Sequence, residues 1–274
     1  MRDGRGEREQ MVLEKFDLSG KTALITGAGT GLGRAMALAM ADAGADVYGA
    51  ARRLSPLEET KALVDAKGRR MEVGTTDVTV TEEVNAMTED AIAKFGRVDI
   101  LVNNAGITDR GRGKTFPELD DEDWRIGIDV NLSSAFYCSR AIVPHFLENG
   151  GGNIINLTSG WGYRGGRNNF MYSVAKGGVI QLTKALAMTY ARENIRCTCI
   201  APGLIPKEID QNLREQRNGF QPVGRVGWPR EMGPLAVFLA SDASEYMTGE
   251  TVLLDGGAIA GGLLPAGYAP EAEG

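Results

Sequence analysis

Short runs of consecutive apolar residues alternate along the chain with longer stretches whose apolar positions recur every three to four residues. The short runs predict strands at Thr22 to Thr26 and near 46–51, 71–75, 98–102, 152–157, 195–200 and 251–254. The longer stretches predict the helices between them. Gly31-Leu32-Gly33 opens an Ala/Met/Leu-rich helix, and Gly44 closes it before the second strand. Strands that are apolar throughout need cover on both faces, and strands separated by helices pair in parallel, so the pattern predicts an α/β fold. No repeat, linker or composition break divides it. Residues 1–15 read as a polar, mobile arm and 16–274 as a single domain, with irregular loops at 203–229 and a Gly-rich tail after Asp255.

Composition narrows the functional classes. The chain has 274 residues, 43% hydrophobic and 24% charged, with a formal net charge of -6. That balance gives no basic field to attract nucleic acid or anionic lipid and leaves small-molecule partners. Met1 to Gln10 lacks the apolar core of a signal peptide, and no run of about twenty apolar residues predicts a membrane span, so a cytoplasmic location is expected. Cys138, Cys197 and Cys199 lie in apolar segments without disulfide or metal-ligand spacing and read as buried thiols; no metal site is expected. The one histidine, His145, follows Pro144 in a helical segment and reads as a partly buried structural imidazole. Any mechanism here works without histidine.

Chemistry enters at the turn after the first strand, Thr26-Gly27-Ala28-Gly29-Thr30-Gly31-Leu32-Gly33. Open parallel sheets bind phosphates there: glycines let the backbone approach a pyrophosphate, and the following helix offers unpaired N–H groups. A second signal is Tyr172 with Lys176, four apart in a helical segment and so on one face. A phenol with a pKa near ~10 is a poor proton donor-acceptor at neutral pH, and a nearby ammonium favours the phenolate. Ser159 and Thr158 both end the fifth strand.

The Gly-x-x-x-Gly-x-Gly spacing, Asp77-Val78, Asn103-Asn104-Ala105-Gly106, Asn131, Ser159, Tyr172, Lys176 and Pro202-Gly203 occur in that order between Lys21 and Gly257. In this the chain resembles the short-chain dehydrogenases/reductases, and among them the gluconate and 3-ketoacyl reductase branches. The resemblance implies a single-domain Rossmann-type doubly wound parallel sheet of about seven strands. It implies a nicotinamide cofactor held by Gly27, Thr30, Gly31, Leu32 and Gly33, with Asp77 and Val78 at the adenine. Asn104, Ala105 and Gly106 would line the groove, and Pro202, Gly203 and Ile205 its far end. Relatives commonly carry a Thr four positions after that Gly, whereas this chain has Lys207, which leaves that contact open.

The second strand ends Ala50-Ala51-Arg52-Arg53, with Ala51 where NAD-selecting relatives carry an acid, and Asp46 lies at the strand's other end. Arg52 would pair with a 2′-phosphate, so NADP(H) is favoured and NAD(H) is the alternative. By the same resemblance Tyr172 is the acid/base, Lys176 also holds the nicotinamide ribose, Ser159 rather than Thr158 bonds the substrate oxygen, and Asn131 sits at a helix irregularity in a proton relay.

The substrate side is less determined. Residues 160–170 should border it, where Trp161 could cover an apolar or sugar face and Arg164 or Arg167 could bind an anion. Residues 205–221 could form a short lid. The reaction expected is hydride transfer between the nicotinamide and a keto sugar, keto acid, 3-ketoacyl ester or secondary alcohol. The alternatives are a noncatalytic NAD(P)-binding regulator, which should have lost one of Ser159, Tyr172 and Lys176, and a sugar epimerase or dehydratase, which usually needs a larger substrate domain. Helices near 122–149 and 171–193 would form the contacts of a homodimer or homotetramer, and the apolar tail 261–268 could pack on a neighbour.

Overall fold

The computed structural model describes residues 11–207 and 221–260. Seven strands, β1 (Thr22–Thr26), β2 (Asp46–Ala51), β3 (Met71–Thr75), β4 (Ile100–Asn103), β5 (Gly152–Leu157), β6 (Ile195–Pro202) and β7 (Thr251–Leu254), form one sheet in the order β3-β2-β1-β4-β5-β6-β7. Every neighbouring pair is parallel. The order reverses between β1 and β4, and in an open α/β sheet the crevice at such a reversal, outside the strands' carboxyl ends, is where ligands bind.

Alternation along the strands divides the core into two layers. Ala23, Ile25 and Ile155 pack with α1 (Gly31–Asp42), α2 (Leu54–Asp65) and α7 (Met232–Ala240), where Met36, Met40, Leu57, Val64 and Leu239 are fully buried. Leu24 and Ile154 face the opposite layer, built on α3 (Thr81–Phe95), α5 (Ser134–Glu148) and α6 (Phe170–Tyr190), with Val84, Ile142 and Phe146. α4 (Asp121–Ile128) leads into α5 through a π-helical turn, Asp129–Ser133.

One sequence expectation needs correction at its edge. The polar arm was placed at residues 1–15, but Val12–Phe16 is a 3₁₀ helix fastened to the domain: the Phe16 ring lies 6.1 Å from Phe238, and Lys15 pairs with Glu245 at 3.3 Å. An apolar ring has a core residue to dock on there, which the charge pattern did not reveal. Residues 1–10 and the tail 261–268 lie outside the described residues, as do 208–220, most of the expected lid.

The three thiols are buried, and burial pushes Cys138 up to about 12 and Cys199 to about 11. The His145 Nε2 accepts the Val98 N–H at 3.1 Å, a structural role. No helix among the described residues is long and apolar enough to cross a membrane.

Candidate active site

The first two turns of α6 carry Tyr172 and Lys176 beside the end of β5. Lys176 is 5% exposed; its Nζ donates to the Leu157 carbonyl at 2.9 Å and stands 5.8 Å from the centre of the Tyr172 ring. Thr158 donates its hydroxyl to the Lys176 carbonyl at 2.6 Å. That bond fastens α6 to β5 and turns Thr158 away from the phenol. Ser159 lies beside it instead, where its hydroxyl pulls the Tyr172 phenol down, while its Oγ accepts the Trp161 N–H at 3.3 Å.

Asn131 is in the π-helical turn, where the widened backbone lets its amide reach both ways. Its Nδ2 donates to the Gly127 carbonyl at 3.0 Å and its Oδ1 accepts the Ile107 N–H at 3.0 Å. Gly106 marks the meeting point: a Cβ there would come within 3.0 Å of Asn131 Oδ1 and 3.7 Å of Lys176 Nζ. A β4 loop, a helix irregularity and α6 thus bring polar groups to one place.

The electrostatics differ from the sequence expectation. The ammonium was expected to draw the phenol down, yet burial holds Tyr172 above the ordinary tyrosine value, with Ser159 and the Arg112 guanidinium pulling the other way. Lys176 is itself brought down to about 8 by burial. The reason is burial: both groups are withdrawn from water, and that desolvation disfavours the charged form of each.

The cofactor side is a cleft of about 370 Å³ at the sheet's reversal point, lined by Gly27, Thr30, Ala51, Arg52, Arg53, Asp77, Val78, Ala105 and Gly106 among others. Gly27 and Gly31 have φ of 70° and 55°, and a Cβ on Gly33 would fall 2.2 Å from the Gly27 carbonyl oxygen. The turn therefore admits only glycine at Gly33 if it is to keep its shape. Thr30 gives α1 no side-chain cap and the first turn holds no acid, so the helix start is open to an anion, as a dinucleotide requires. Leu32 packs on the core behind it.

Asn104 turns out to knit β1 to β4: its Nδ2 donates to the Thr26 and Gly27 carbonyls at 2.9 and 3.3 Å, while Thr26 Oγ1 accepts the N–H groups of Asn104 and Ala105, both at 3.1 Å. Burial would raise the Asp77 carboxyl, but the Thr79 hydroxyl and N–H, at 2.7 and 2.9 Å, and the nearby Arg52 charge bring it below its ordinary range. Arg52 and Arg53 are exposed at the rim, and Asp46 pairs with Arg69 at 2.7 Å at the far end of β2.

Pro202 ends β6. The Gly203 N–H donates to the Leu254 carbonyl at 2.9 Å, and a Cβ on Gly203 would lie 2.6 Å from Asp255 Cα, so packing on β7 accounts for that glycine. Ile205 packs on the core.

Of the expected substrate-side residues, Trp161 adjoins this cluster through its N–H to Ser159. Arg164 lies over the Trp161 ring at 5.2 Å, and both Arg164 and Arg167 are exposed. Sequence reasoning missed two arginines. Arg34 donates to the Gly29 and Pro56 carbonyls at 3.0 and 3.2 Å and to Glu59 at 2.8 Å, bolting the glycine turn to α2. Arg112 acts on the Tyr172 phenol from the loop after β4. Its neighbours Arg110 and Lys114 are both occupied by Asp123, at 3.2 and 2.6 Å. That loop is tied toward α6 by the Gly113 N–H to the Asn168 carbonyl at 2.9 Å. An arginine between two glycines in an acid-dotted loop carries no motif, so no local signal set it apart.

Comparison with known proteins agrees with this geometry. A family model described as enoyl-(acyl carrier protein) reductase matches residues 27–258. The 2-dehydro-3-deoxy-D-gluconate 5-dehydrogenase of Dickeya dadantii is 39% identical over 91% of this chain and 100% of its own length. The 3-oxoacyl-[acyl-carrier-protein] reductase of Thermotoga maritima is 35% identical over 88% of this chain and 99% of its own. A Beutenbergia cavernae structure, described as an NAD(P)-dependent gluconate 5-dehydrogenase with NADP bound at low occupancy, superposes with a TM-score of 0.82 at 35% identity, covering 90% of this chain and 99% of that one. With a family model over residues 27–258 and relatives this similar along nearly the whole chain, the chain belongs to the short-chain dehydrogenase/reductase family and is an NAD(P)-dependent oxidoreductase that transfers hydride between the nicotinamide and a carbonyl or secondary alcohol.

Proposed function

We propose that this enzyme interconverts a keto acid of the sugar-acid type and its hydroxy acid with NADP(H), using Tyr172 as acid and base. The observation that carries the catalytic reading is that Asn131 and Lys176 meet at Gly106 while Lys176 and Ser159 both lie beside Tyr172, four side chains from three separate elements. The bound nicotinamide supplies or accepts the hydride at the substrate carbon. In reduction, the Tyr172 O–H gives its proton to the carbonyl oxygen as the C–O π pair moves there, and Ser159 donates a hydrogen bond to the same oxygen. In oxidation the phenolate takes the proton back. Lys176, held by Leu157, orients the ribose and supplies positive charge, and Asn131 carries the relay that restores the phenol's proton.

NADP(H) is supported by the absence of an acid at the end of β2 and by Arg52 and Arg53 on the cleft. An acidic substrate is supported by Arg112, which lies near the phenol while its basic neighbours are neutralised by Asp123, and by the gluconate-type relatives. For assembly, Phe136 and Leu147 on α5 and Val174 and Met188 on α6 are exposed apolar groups, which favours pairing through these helices into a dimer or tetramer.

The test is turnover of a panel of keto acids, keto sugars and neutral ketones with each nicotinamide, followed by cofactor absorbance. Higher kcat/KM with NADPH and with the acids is expected. Preference for NADH, or for the neutral members throughout, contradicts the corresponding part of the reading.

A further inference from the structure

One basic side chain reaches the phosphate-binding turn from the opposite bank of the cleft. Lys207 ends the loop Gly203-Leu204-Ile205-Pro206-Lys207 after β6, and its stem lies across Gly31, the first residue of α1. A methyl group on Gly31 would meet Lys207 Cγ at 3.0 Å and its Cβ and Cδ at 3.6 Å. The loop is anchored for this approach. The Gly203 N–H is held by Leu254, the Leu204 carbonyl accepts the Gly227 N–H at 3.0 Å, and Ile205 packs on the core.

Among the described residues, the charge around Gly31 is one-sided. The first turn of α1 carries no acid and no side-chain cap. Arg34, the other basic group nearby, is consumed by Gly29, Pro56, Thr60 and Glu59. Lys207 is exposed and has no ion-pair partner among the described residues. An ammonium on a flexible stem whose first carbons are already packed over a phosphate-binding turn loses little freedom in meeting an anion there.

We propose that Lys207 is a charge partner of the cofactor's pyrophosphate, closing over the Gly31 turn from the β6 loop. The diphosphate is common to both nicotinamide cofactors, so the role is separate from that of Arg52 at the 2′-phosphate. It rests on the family's dinucleotide dependence and on neither the Tyr172 nor the NADP(H) reading. Because the contact is electrostatic and open to solvent, its contribution is screened by salt.

Equilibrium binding decides it, through the fluorescence of NADPH and NADH titrated into the wild-type enzyme, Lys207→Met, Lys207→Arg and Arg52→Ala. Lys207→Met should weaken whichever dinucleotide binds by about tenfold, as for a charge-assisted hydrogen bond, and should flatten the salt dependence of Kd. Lys207→Arg should stay close to wild type. Arg52→Ala should weaken NADPH selectively, and its failure to do so overturns only the 2′-phosphate reading. Lys207→Gln makes the same comparison if the Met variant melts early. Native-like melting with unchanged affinity and an unchanged salt slope in the uncharged variants overturns the proposal, as does an equal loss in Lys207→Arg.

Discussion

The two banks of the active-site cleft are built differently. On the cofactor bank, position is set by backbone: Gly27 and Gly31 in left-handed conformations, Gly33 against the Gly27 carbonyl, and Asn104 laced to β1. On the substrate bank, the loops 107–119 and 160–169 carry exposed Arg112, Arg164 and Arg167 and are joined by a few bonds such as Gly113 to Asn168. A backbone-built site tolerates few residues and so leaves a motif. A side-chain-built site on loops can be rewritten freely, which is how one fold serves many substrates.

The sharpest way to break the contrast is Gly33→Val on the rigid bank. The new side chain meets the Gly27 carbonyl oxygen, and overpacking worth ~3 kcal/mol should weaken dinucleotide binding by about a hundredfold or more, measured by fluorescence titration. Unchanged binding would show that the turn is not rigid. Next, Ser159→Ala should lower kcat by about 10² to 10³ with little change in cofactor Kd, since the lost hydrogen bond acts on the developing charge; a pure KM effect would move Ser159 to substrate binding. On the pliable bank, Arg112→Gln should raise KM for keto acids by about tenfold and leave a neutral ketone unaffected.

The smallest predicted effect runs against function. Lys176 titrates at about 8 in the folded chain, below the ~10.4 of an unfolded lysine, so at neutral pH the native state carries a buried charge that opposes folding. Lys176→Met should therefore raise Tm by about a few degrees while abolishing turnover. The unfolded chain holds a proton that the native chain has released between pH about 8 and ~10, so wild-type stability gains on the variant across that window and the gap closes. A gap that is constant with pH would remove the buried charge as its cause.

The contrast between the banks also explains what could be read from sequence. All seven predicted strands fall within two residues of those observed at both ends, and five coincide with them, because buried parallel strands are apolar throughout. β4 starts at Ile100 rather than 98, and β6 runs two residues past its predicted end to Pro202. The spacing of Gly27, Gly31 and Gly33, and of Tyr172 and Lys176, was legible because backbone approach and helical periodicity each constrain sequence. The choice of Ser159 over Thr158 followed from family spacing, and the structure gives the physical reason in the bond from Thr158 to the Lys176 carbonyl. Arg34 and Arg112 were not legible. Their roles depend on which carbonyls or carboxylates lie across a loop in space, Glu59 for one and the Asp123 pairs for the other's neighbours. The raised phenol of Tyr172 is not legible for a similar reason: sequence shows a lysine four residues away but not how deeply the fold buries the phenol.

The central claim is that Tyr172 supplies and recovers the proton. Tyr172→Phe keeps the ring against α6 and removes only the O–H, so dinucleotide binding should stay within about twofold of wild type while kcat falls by at least about 10³, the upper range for loss of a general acid. Turnover within about tenfold of wild type, with binding and melting unchanged, would contradict it.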